Sequence, residues 1–170
     1  MVEVRGQPLL GHIVAAYNAA AIKDITVVRG YLPDAFDLPA LDYVDNEDYA
    51  DTSELISLKC ALDTATEDGA DLYVSFGDVI FKRYIVDSLA EVEADIVIAV
   101  DTDWQDSVNR GRAADYVKCS EPHSRNAFYH DIWLEQAGET LADEDIHGEW
   151  MGVVRFAAAA IPDVHEAVEA

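Results

Sequence analysis

The alternation of short apolar segments with helix-like segments constrains the fold of this chain more than any other feature. Residues 94–100 form a nearly continuous apolar run, which is typical of a strand buried on both faces of a parallel sheet. Other strand-like segments lie at residues 24–29, 41–44 and 72–76. Segments with helical spacing lie between them, at 9–21, 52–66 and 81–90. We therefore expect an α/β fold in which a mostly parallel sheet lies between two layers of helices.

The second half of the chain has a different character. Residues 101–131 are polar and irregular, and we expect β segments at 114–119 and 132–136. A late strand at 151–156 leads into a helix at 161–168. The length of 170 residues is that of one domain with a substantial core.

The net charge excludes several kinds of partner. The chain has 11 lysine and arginine residues against 34 aspartate and glutamate residues, a net charge of −23. Such a surface repels the phosphates of nucleic acids and anionic lipid headgroups. The apolar segments are too short to span a membrane, and the first residues lack the pattern of a signal peptide. We expect a cytoplasmic protein that binds neither nucleic acid nor membranes.

The acidic residues are spread along the whole chain, and only four residues are lysine. This distribution favours a halophilic protein, because high salt screens the repulsion that otherwise destabilises so charged a compact state. A merely acidic cytoplasmic protein is the alternative. Cys60 and Cys119 have no metal-binding spacing, which predicts free thiols in a reducing cytoplasm.

Asp78 is the strongest candidate for a chemical role. It follows Gly77 directly after the predicted strand at 72–76. In open α/β sheets, ligands bind at the carboxyl ends of strands, and a carboxylate there can hold Mg²⁺ against phosphate oxygens. The glycine permits close approach by a ligand. The alternative is that Asp78 caps the following turn.

A second acidic segment follows the apolar strand at 94–100. Asp101 and Asp103 can face the same side of an extended segment and bind a cation, and Trp104 can face a cationic group of a substrate. Solvated loop acids are the alternative explanation.

Residues 147–152 have two glycines around Glu149 and Trp150, which indicates a backbone pressed against something bulky. The bulky group is a substrate in one interpretation. In the other, Trp150 only anchors the core. His147 alone is weak support for a functional site.

A rare cluster of positive charge lies in residues 110–125. Arg110, Arg112, Arg125 and Lys118 can hold a phosphate or phosphonate group. Alternatively, they pair with the surrounding acidic residues.

In chain order these segments resemble the nucleotidyltransferase family. Within it they are most similar to cytidylyltransferases acting on phosphocholine or on phosphonates, including the domains associated with phosphoenolpyruvate phosphomutase in phosphonate biosynthesis. The resemblance rests on residues 2–10, 25–31, 45–49, 52–58, 76–79, 94–101 and 148–152. It implies a Rossmann-like α/β/α sandwich and Mg²⁺-dependent transfer of a nucleotidyl group, CMP from CTP, to a phosphonate or phosphocholine-type acceptor with release of pyrophosphate.

The resemblance also implies roles for individual residues. Residues 1–170 would be one domain, with a nucleotide-binding half (1–100) and an acceptor-binding half (101–170). Asp78 would be the catalytic Mg²⁺ ligand near the α-phosphate. The nucleotide would be contacted by Gly30, Tyr31, Thr52, Ser53, Glu54 and Gly77. The acceptor would be contacted by Asp103, Trp104, Glu149 and Trp150, with Arg110 and Arg112 as candidates for its phosphate or phosphonate group.

The chain departs from the family pattern at both ends. Family members begin with a strand, a glycine-rich GxGxR loop that cradles the triphosphate, and a proline-lysine pair. This chain begins at Met1-Val2-Glu3-Val4 without them, and it ends before the late strand that usually supplies a second metal-binding acid. Ser53 and Glu54 stand where relatives usually have Asn. We therefore expect a domain truncated at the N-terminus and at the C-terminus, inactive by itself. An unpaired strand edge would favour a homo-oligomer.

Two further functions remain open on the sequence. One is a catalytically silent homologue that acts as a binding or oligomerisation module. The other is a glycosyltransferase of the GT-A type, in which Asp101 and Asp103 would be the metal-binding acids.

Overall fold

The structure is a computed structural model that describes residues 2–36, 38–64, 69–106, 114–124 and 131–169. The chain forms two compact units. Unit 1 comprises Met1–Val97 and Val154–Ala170, and unit 2 comprises Ile98–Val153. Within the described ranges, no helix has the length and apolar character required to cross a bilayer.

Unit 1 begins with a short antiparallel hairpin that the sequence pattern does not predict. Its strands are β1 (Glu3–Val4) and β2 (Gln7–Pro8). Arg5 and Gly6 join them with positive φ angles of 54° and 77°. Two such residues form the turn whose twist matches a two-residue hairpin, and Gly6 adopts this conformation without steric cost.

The described part of unit 1 also contains four α-helices and three strands. The helices are α1 (Leu9–Ala19), α2 (Glu54–Leu62), α3 (Arg83–Glu91) and α4 (Ile161–Glu169). The strands are β3 (Thr26–Arg29), β4 (Asp42–Asp45) and β5 (Leu72–Ser75). All seven match predicted segments, which confirms the alternation of helix and strand. The helix predicted to reach residue 66 ends at Leu62, and the one predicted to continue to residue 21 ends at Ala19.

Helix packing builds the core of unit 1. Ile13 and Tyr17 of α1 are buried, as are Val86 and Leu89 of α3. The ring of Tyr17 meets Phe81 edge to face, with centroids 5.3 Å apart. Aromatic pairs prefer this arrangement because the positive ring edge meets the negative face.

Strands β3 and β4 pair in parallel, in a register that places Arg29 opposite Asp45. Their carboxyl ends therefore lie at the same edge of this small sheet. Helix α2 packs on β3 and on α4, and it also contacts β4. Both strands of this small sheet thus pack against a helix.

Two strands cross the boundary between the units, namely β6 (Ile96–Asp101) and β9 (Gly148–Phe156), which pair with each other. Strand β5 is also a hydrogen-bonded neighbour of β9. In unit 2, β7 (Tyr116–Cys119) is antiparallel to both β9 and β8 (Leu134–Gly138). Among the described residues of unit 2, Val117 and Val153 are fully buried.

The outcome for the second half is mixed. The β segments at 114–119, 132–136 and 151–156 are confirmed, although β9 begins three residues earlier, at Gly148. The antiparallel pairing of β7 with β8 and β9 differs from the mostly parallel sheet predicted. The complete burial expected for β6 is also wrong in part, because Ala99 is its one buried residue and Ile96 is exposed. The prediction that residues 1–100 and 101–170 bind different ligands stays a prediction.

Candidate functional site

Asp78 lies just beyond the carboxyl end of β5, as predicted. It is exposed, and no described residue bonds to its carboxylate. The next helix, α3, begins at Arg83 with Lys82 at its N-cap, so Asp78 does not cap this helix. A Cβ atom built at Gly77 meets nothing within 4 Å, so the space beside this backbone is open. The carboxylate of Asp78 is therefore available to a cation or a ligand.

The last residues of β3 and β4 are locked by an ion pair. Arg29 donates to both carboxylate oxygens of Asp45, at 2.7 and 3.0 Å, and its guanidinium lies 4.6 Å from the ring centroid of Tyr43. The hydrogen bond to Asp45 raises the pKa of Arg29 above its ordinary value. This arginine is therefore engaged across the strand pair, directly before Gly30 and Tyr31.

A buried asparagine organises the loop between β4 and α2. The Asn46 amide nitrogen donates to Thr52 Oγ1 at 3.0 Å and to Ser57 Oγ at 3.1 Å. Its amide oxygen accepts the backbone N–H of Asp48 at 3.1 Å, and its own N–H donates to the carbonyl of Arg29 at 2.8 Å. Asn46 thereby fixes the predicted nucleotide contact Thr52 relative to the end of β3.

Ser53 and Glu54 begin α2. Ser53 occupies the N-cap position with an extended backbone, but its side chain makes no capping hydrogen bond. Glu54 is exposed in the first turn, where a negative charge is favoured by the helix dipole. Ser53, with Gly30, Tyr31 and Thr52, therefore lies in the loops that follow β3 and β4, and Glu54 lies in the first turn of α2.

Unit 2 contains a polar pocket of about 330 Å³. Its walls come from the turn after β6, the segment after β7 and the residues just before β9. The lining residues are Thr102, Asp103, Trp104, Gln105, Asp106, Pro122, His123, Ile146 and His147. Two predicted acceptor contacts, Asp103 and Trp104, thus line the same cavity.

Local contacts fix the orientation of these two residues. The carboxylate of Asp101 accepts the backbone N–H of Asp103 at 2.9 Å, which explains Asp101 as a turn residue. The Trp104 ring packs edge to face on Tyr116, with centroids 5.0 Å apart. The pocket therefore has a rigid aromatic wall next to an exposed carboxylate.

His147, for which the sequence pattern gives only weak support, also lines the pocket. Its Nδ1 atom accepts the backbone N–H of Cys119 at 3.1 Å. Because that ring nitrogen acts as the acceptor, the proton of the neutral ring lies on Nε2, which makes Nε2 a donor. Only the pairing of β7 with the start of β9 creates this arrangement, so no local sequence pattern indicates it.

The segment around Glu149 and Trp150 is explained largely by packing. A Cβ atom at Gly148 would contact Val100 and would lie 2.9 Å from the carbonyl oxygen of Asp101, so the bulky neighbour at Gly148 is β6. The indole of Trp150 donates to the carbonyl of Val153 at 3.2 Å. Glu149 lies opposite Tyr116 of β7. Their assignment to the acceptor stays a prediction.

The predicted positive cluster is described only at Lys118. This residue forms an ion pair with Asp145 at 2.7 Å, which raises the pKa of Lys118. Pairing with a nearby acid, the alternative considered above, is therefore correct for Lys118. Arg110, Arg112 and Arg125 lie outside the described residues.

One further cluster has metal-ligand chemistry. Asp63, His165 and Glu169 place one ligand atom each within 4.8 Å of one another. The ammonium of Lys59, however, lies 2.7 Å from Asp63 and 3.5 Å from Glu169. Lys59 and His165 lower the pKa of Asp63. We interpret this cluster as an ion-pair network that joins α2 to α4.

Comparison with known proteins decides the family. Residues 1–155 match the family described as the MobA-like NTP transferase domain. This chain belongs to that family. The predicted resemblance to the nucleotidyltransferase family is thus confirmed.

Individual proteins are also similar to this chain in sequence or in fold. The chain is 24% identical over 172 residues to a CTP:phosphoglutamine cytidylyltransferase of Campylobacter jejuni, and it covers 66% of that protein. It is similar in fold to the inositol-1-phosphate CTP transferase of T. maritima, with a TM-score of 0.66 and 13% identity, and to HddC of Yersinia pseudotuberculosis, with 0.61 and 14%. The match to the CTP transferase covers 95% of this chain and 62% of that protein, and the match to HddC covers 96% of this chain and 68% of HddC. They confirm the Rossmann-like fold class.

Proposed function

We propose that this chain binds a nucleoside triphosphate, with CTP favoured, and serves the transfer of the nucleotidyl group to a phosphorylated or phosphonate acceptor. The observation that carries the proposal is the exposed Asp78 carboxylate beyond the end of β5, in a chain that matches an NTP transferase family. Two of the relatives described above are named for CTP, which supports cytidine as the base. The chain spans 66% of the curated relative, so the activity proposed is that of the whole protein.

Asp78 fits a role as a Mg²⁺ ligand. Mg²⁺ is commonly held by one or two carboxylates together with substrate phosphates, and Asp78 offers an exposed carboxylate without a described partner. When bound there, the ion would neutralise charge on the triphosphate. The open space beside Gly77 allows a phosphate to approach the backbone closely.

The reaction requires positioning more than a protein nucleophile. An oxygen of the acceptor phosphate or phosphonate attacks the α-phosphorus and forms a new P–O bond. The bond from the α-phosphorus to the bridging oxygen of the β-phosphate breaks, and pyrophosphate leaves with the electron pair. The protein's contribution is to hold the two substrates in line and to stabilise their charges. Contacts to the base and ribose come from Gly30, Tyr31, Thr52, Ser53 and Glu54 in this proposal.

The pocket in unit 2 is our candidate for the acceptor. Its described lining includes the carboxylates of Asp103 and Asp106 and the indole of Trp104. Carboxylates and an indole face together favour a ligand with an ammonium group, as in a phosphocholine-type acceptor. Glu149 and Trp150 would contribute to the same acceptor, and Arg110 and Arg112 would hold its phosphate or phosphonate group.

Pyrophosphate release tests the proposal in the whole native protein. With CTP, Mg²⁺ and a phosphocholine or aminoalkyl-phosphonate acceptor, we expect release that Asp78→Asn abolishes while the fold stays intact. Asp24→Asn, which removes another exposed carboxylate of unit 1, should release pyrophosphate at the wild-type rate. Wild-type rates in Asp78→Asn would exclude Asp78 as the metal ligand. Absence of both release and nucleotide binding in the wild type would favour the silent binding module.

A further inference from the structure

An exposed aromatic corner lies beyond the carboxyl ends of β3 and β4. Tyr31 is 69% exposed and Tyr49 is 42% exposed. Their ring centroids lie 6.3 Å apart with an angle of 59° between the ring planes. Two large aromatic side chains thus present accessible ring surface where ligands of open α/β sheets usually bind.

Tyr49 is held in place by the backbone of β3. A Cβ atom at Gly30 would lie 2.6 Å from both Cβ and Cγ of Tyr49, closer than any side chain allows. Glycine at position 30 is therefore required by the packing of Tyr49. A ring fixed against the main chain loses little conformational freedom when a ligand stacks on it.

Asn46 fixes the backbone around Tyr49 by hydrogen bonds. Asn46 is 4% exposed, and its carbonyl accepts the backbone N–H of Tyr49 at 3.3 Å. Its side chain bonds to Thr52, Ser57 and the N–H of Asp48, while Thr52 Oγ1 also donates to the carbonyl of Asp48 at 2.9 Å. These bonds fix the turn on both sides of Tyr49.

From this geometry we propose that Tyr49, together with Tyr31, forms the surface on which the nucleobase stacks, and that Asn46 is the positioning residue for this surface. The proposal rests on the nucleotide binding proposed above and adds a residue to it, since Tyr49 was not among the predicted contacts. Stacking on an aromatic ring tolerates any base, because every base has a π face. Discrimination between bases would then depend on the polar groups of the loop.

Binding of CTP and of inorganic tripolyphosphate, each with Mg²⁺, separates the base from the phosphates. Tyr49→Leu keeps an apolar side chain near Gly30 but removes the aromatic face. We expect it to weaken CTP binding about fivefold or more, as loss of one base–aromatic stack does, and to leave tripolyphosphate binding unchanged. Tyr49→Phe should bind both as the wild type does. Tyr84→Leu, which removes an exposed tyrosine of α3, is the matched control.

The positioning role of Asn46 has its own readout. Asn46→Ala should lower the ratio of CTP affinity to tripolyphosphate affinity, whereas Ser57→Ala, which loses one bond of the same network, should change that ratio less. A merely structural role would lower both affinities together, and that result would overturn the assignment of Asn46.

The outcomes distinguish the two proposals. A wild-type protein that binds neither probe contradicts the proposed function itself. A wild-type protein that binds CTP, combined with a Tyr49→Leu variant that binds CTP equally well or loses both probes equally, overturns the stacking surface alone.

Discussion

The guanidinium of Arg155 donates to Asp71 Oδ2 at 2.7 Å from a side chain that is 6% exposed. Three backbone carbonyls, those of Leu89, Val92 and Ala94, accept its other N–H groups at 2.6 to 3.0 Å. One buried charge on β9 thus joins the end of α3, the start of β6 and the residue before β5. This cluster in unit 1 fixes the start of the strand that leads to Asp78.

Removing this guanidinium should strongly destabilise unit 1. Breaking a buried pair costs roughly 3–5 kcal/mol, and the exposure of Asp71 reduces that, so we expect Arg155→Met to lower the free energy of unfolding by about 2 kcal/mol or more. The matched control is Arg83→Met, which breaks the exposed Arg83–Asp87 pair of α3 and should cost no more than about 1 kcal/mol. If urea unfolding shows equal losses of stability for Arg155→Met and Arg83→Met, the buried cluster contributes no more to stability than the exposed pair.

Acid should remove the contribution of Asp71. The N–H of Ala158 and the Arg155 guanidinium hold the pKa of Asp71 below its ordinary value. Since the folded-state pKa is the lower one, ionised Asp71 stabilises the fold above the unfolded pKa of about 3.9, and this contribution disappears as the pH falls through the folded pKa. The difference in unfolding free energy between wild type and Asp71→Asn should therefore be constant from pH 7 to about 5 and shrink below about 4. A difference that persists at the lowest pH would contradict this linkage.

A methyl group at Gly148 should be poorly tolerated. The added Cβ would contact Val100 and the carbonyl of Asp101, so we expect Gly148→Ala to cost about 1–3 kcal/mol through overpacking. Gly77→Ala is the control, because the space beside Gly77 is open. Thermal melting of both variants checks the expectation. A Gly148→Ala variant as stable as Gly77→Ala would show that the strand pair adjusts easily.

Salt should stabilise the protein, if the halophilic interpretation of its charge is correct. Screening shortens the Debye length from about 30 Å at 0.01 M to about 3 Å at 1 M, which relieves repulsion within a chain of net charge −23. We expect Tm to rise steadily with KCl. Sucrose at matched osmolality controls for general exclusion effects and should raise Tm less. A Tm independent of KCl would count against a halophilic surface.

Local patterns predicted those parts of the molecule that depend on neighbours in the chain. The strand before Gly77 and Asp78 was predictable, since an apolar run followed by a glycine and an acid marks a strand end. The ends of helices were less predictable: Ser53 has the residue type of a cap but makes no capping bond.

Features that depend on distant residues could not be predicted in the same way. Asn46 looks like an ordinary loop residue until Thr52 and Ser57 enclose it. The glycines at 148 and 152 predicted a backbone pressed against either a substrate or the core, and the close neighbour of Gly148 is Val100 of β6. The donor role of His147 depends on Cys119, which belongs to β7 and is distant in the chain. Each of these required the pairing of strands or the packing of a helix to become visible.

Calorimetric titration of the chain with CTP in high salt, with and without Mg²⁺, tests the central claim most directly. We expect binding that requires Mg²⁺ in the wild type and is lost in Asp78→Asn, because the Asp78 carboxylate is the proposed anchor for the ion and the triphosphate. Absence of CTP binding by a folded wild-type chain in the presence of Mg²⁺ would contradict the assignment of a nucleotide site to the loops after β3, β4 and β5.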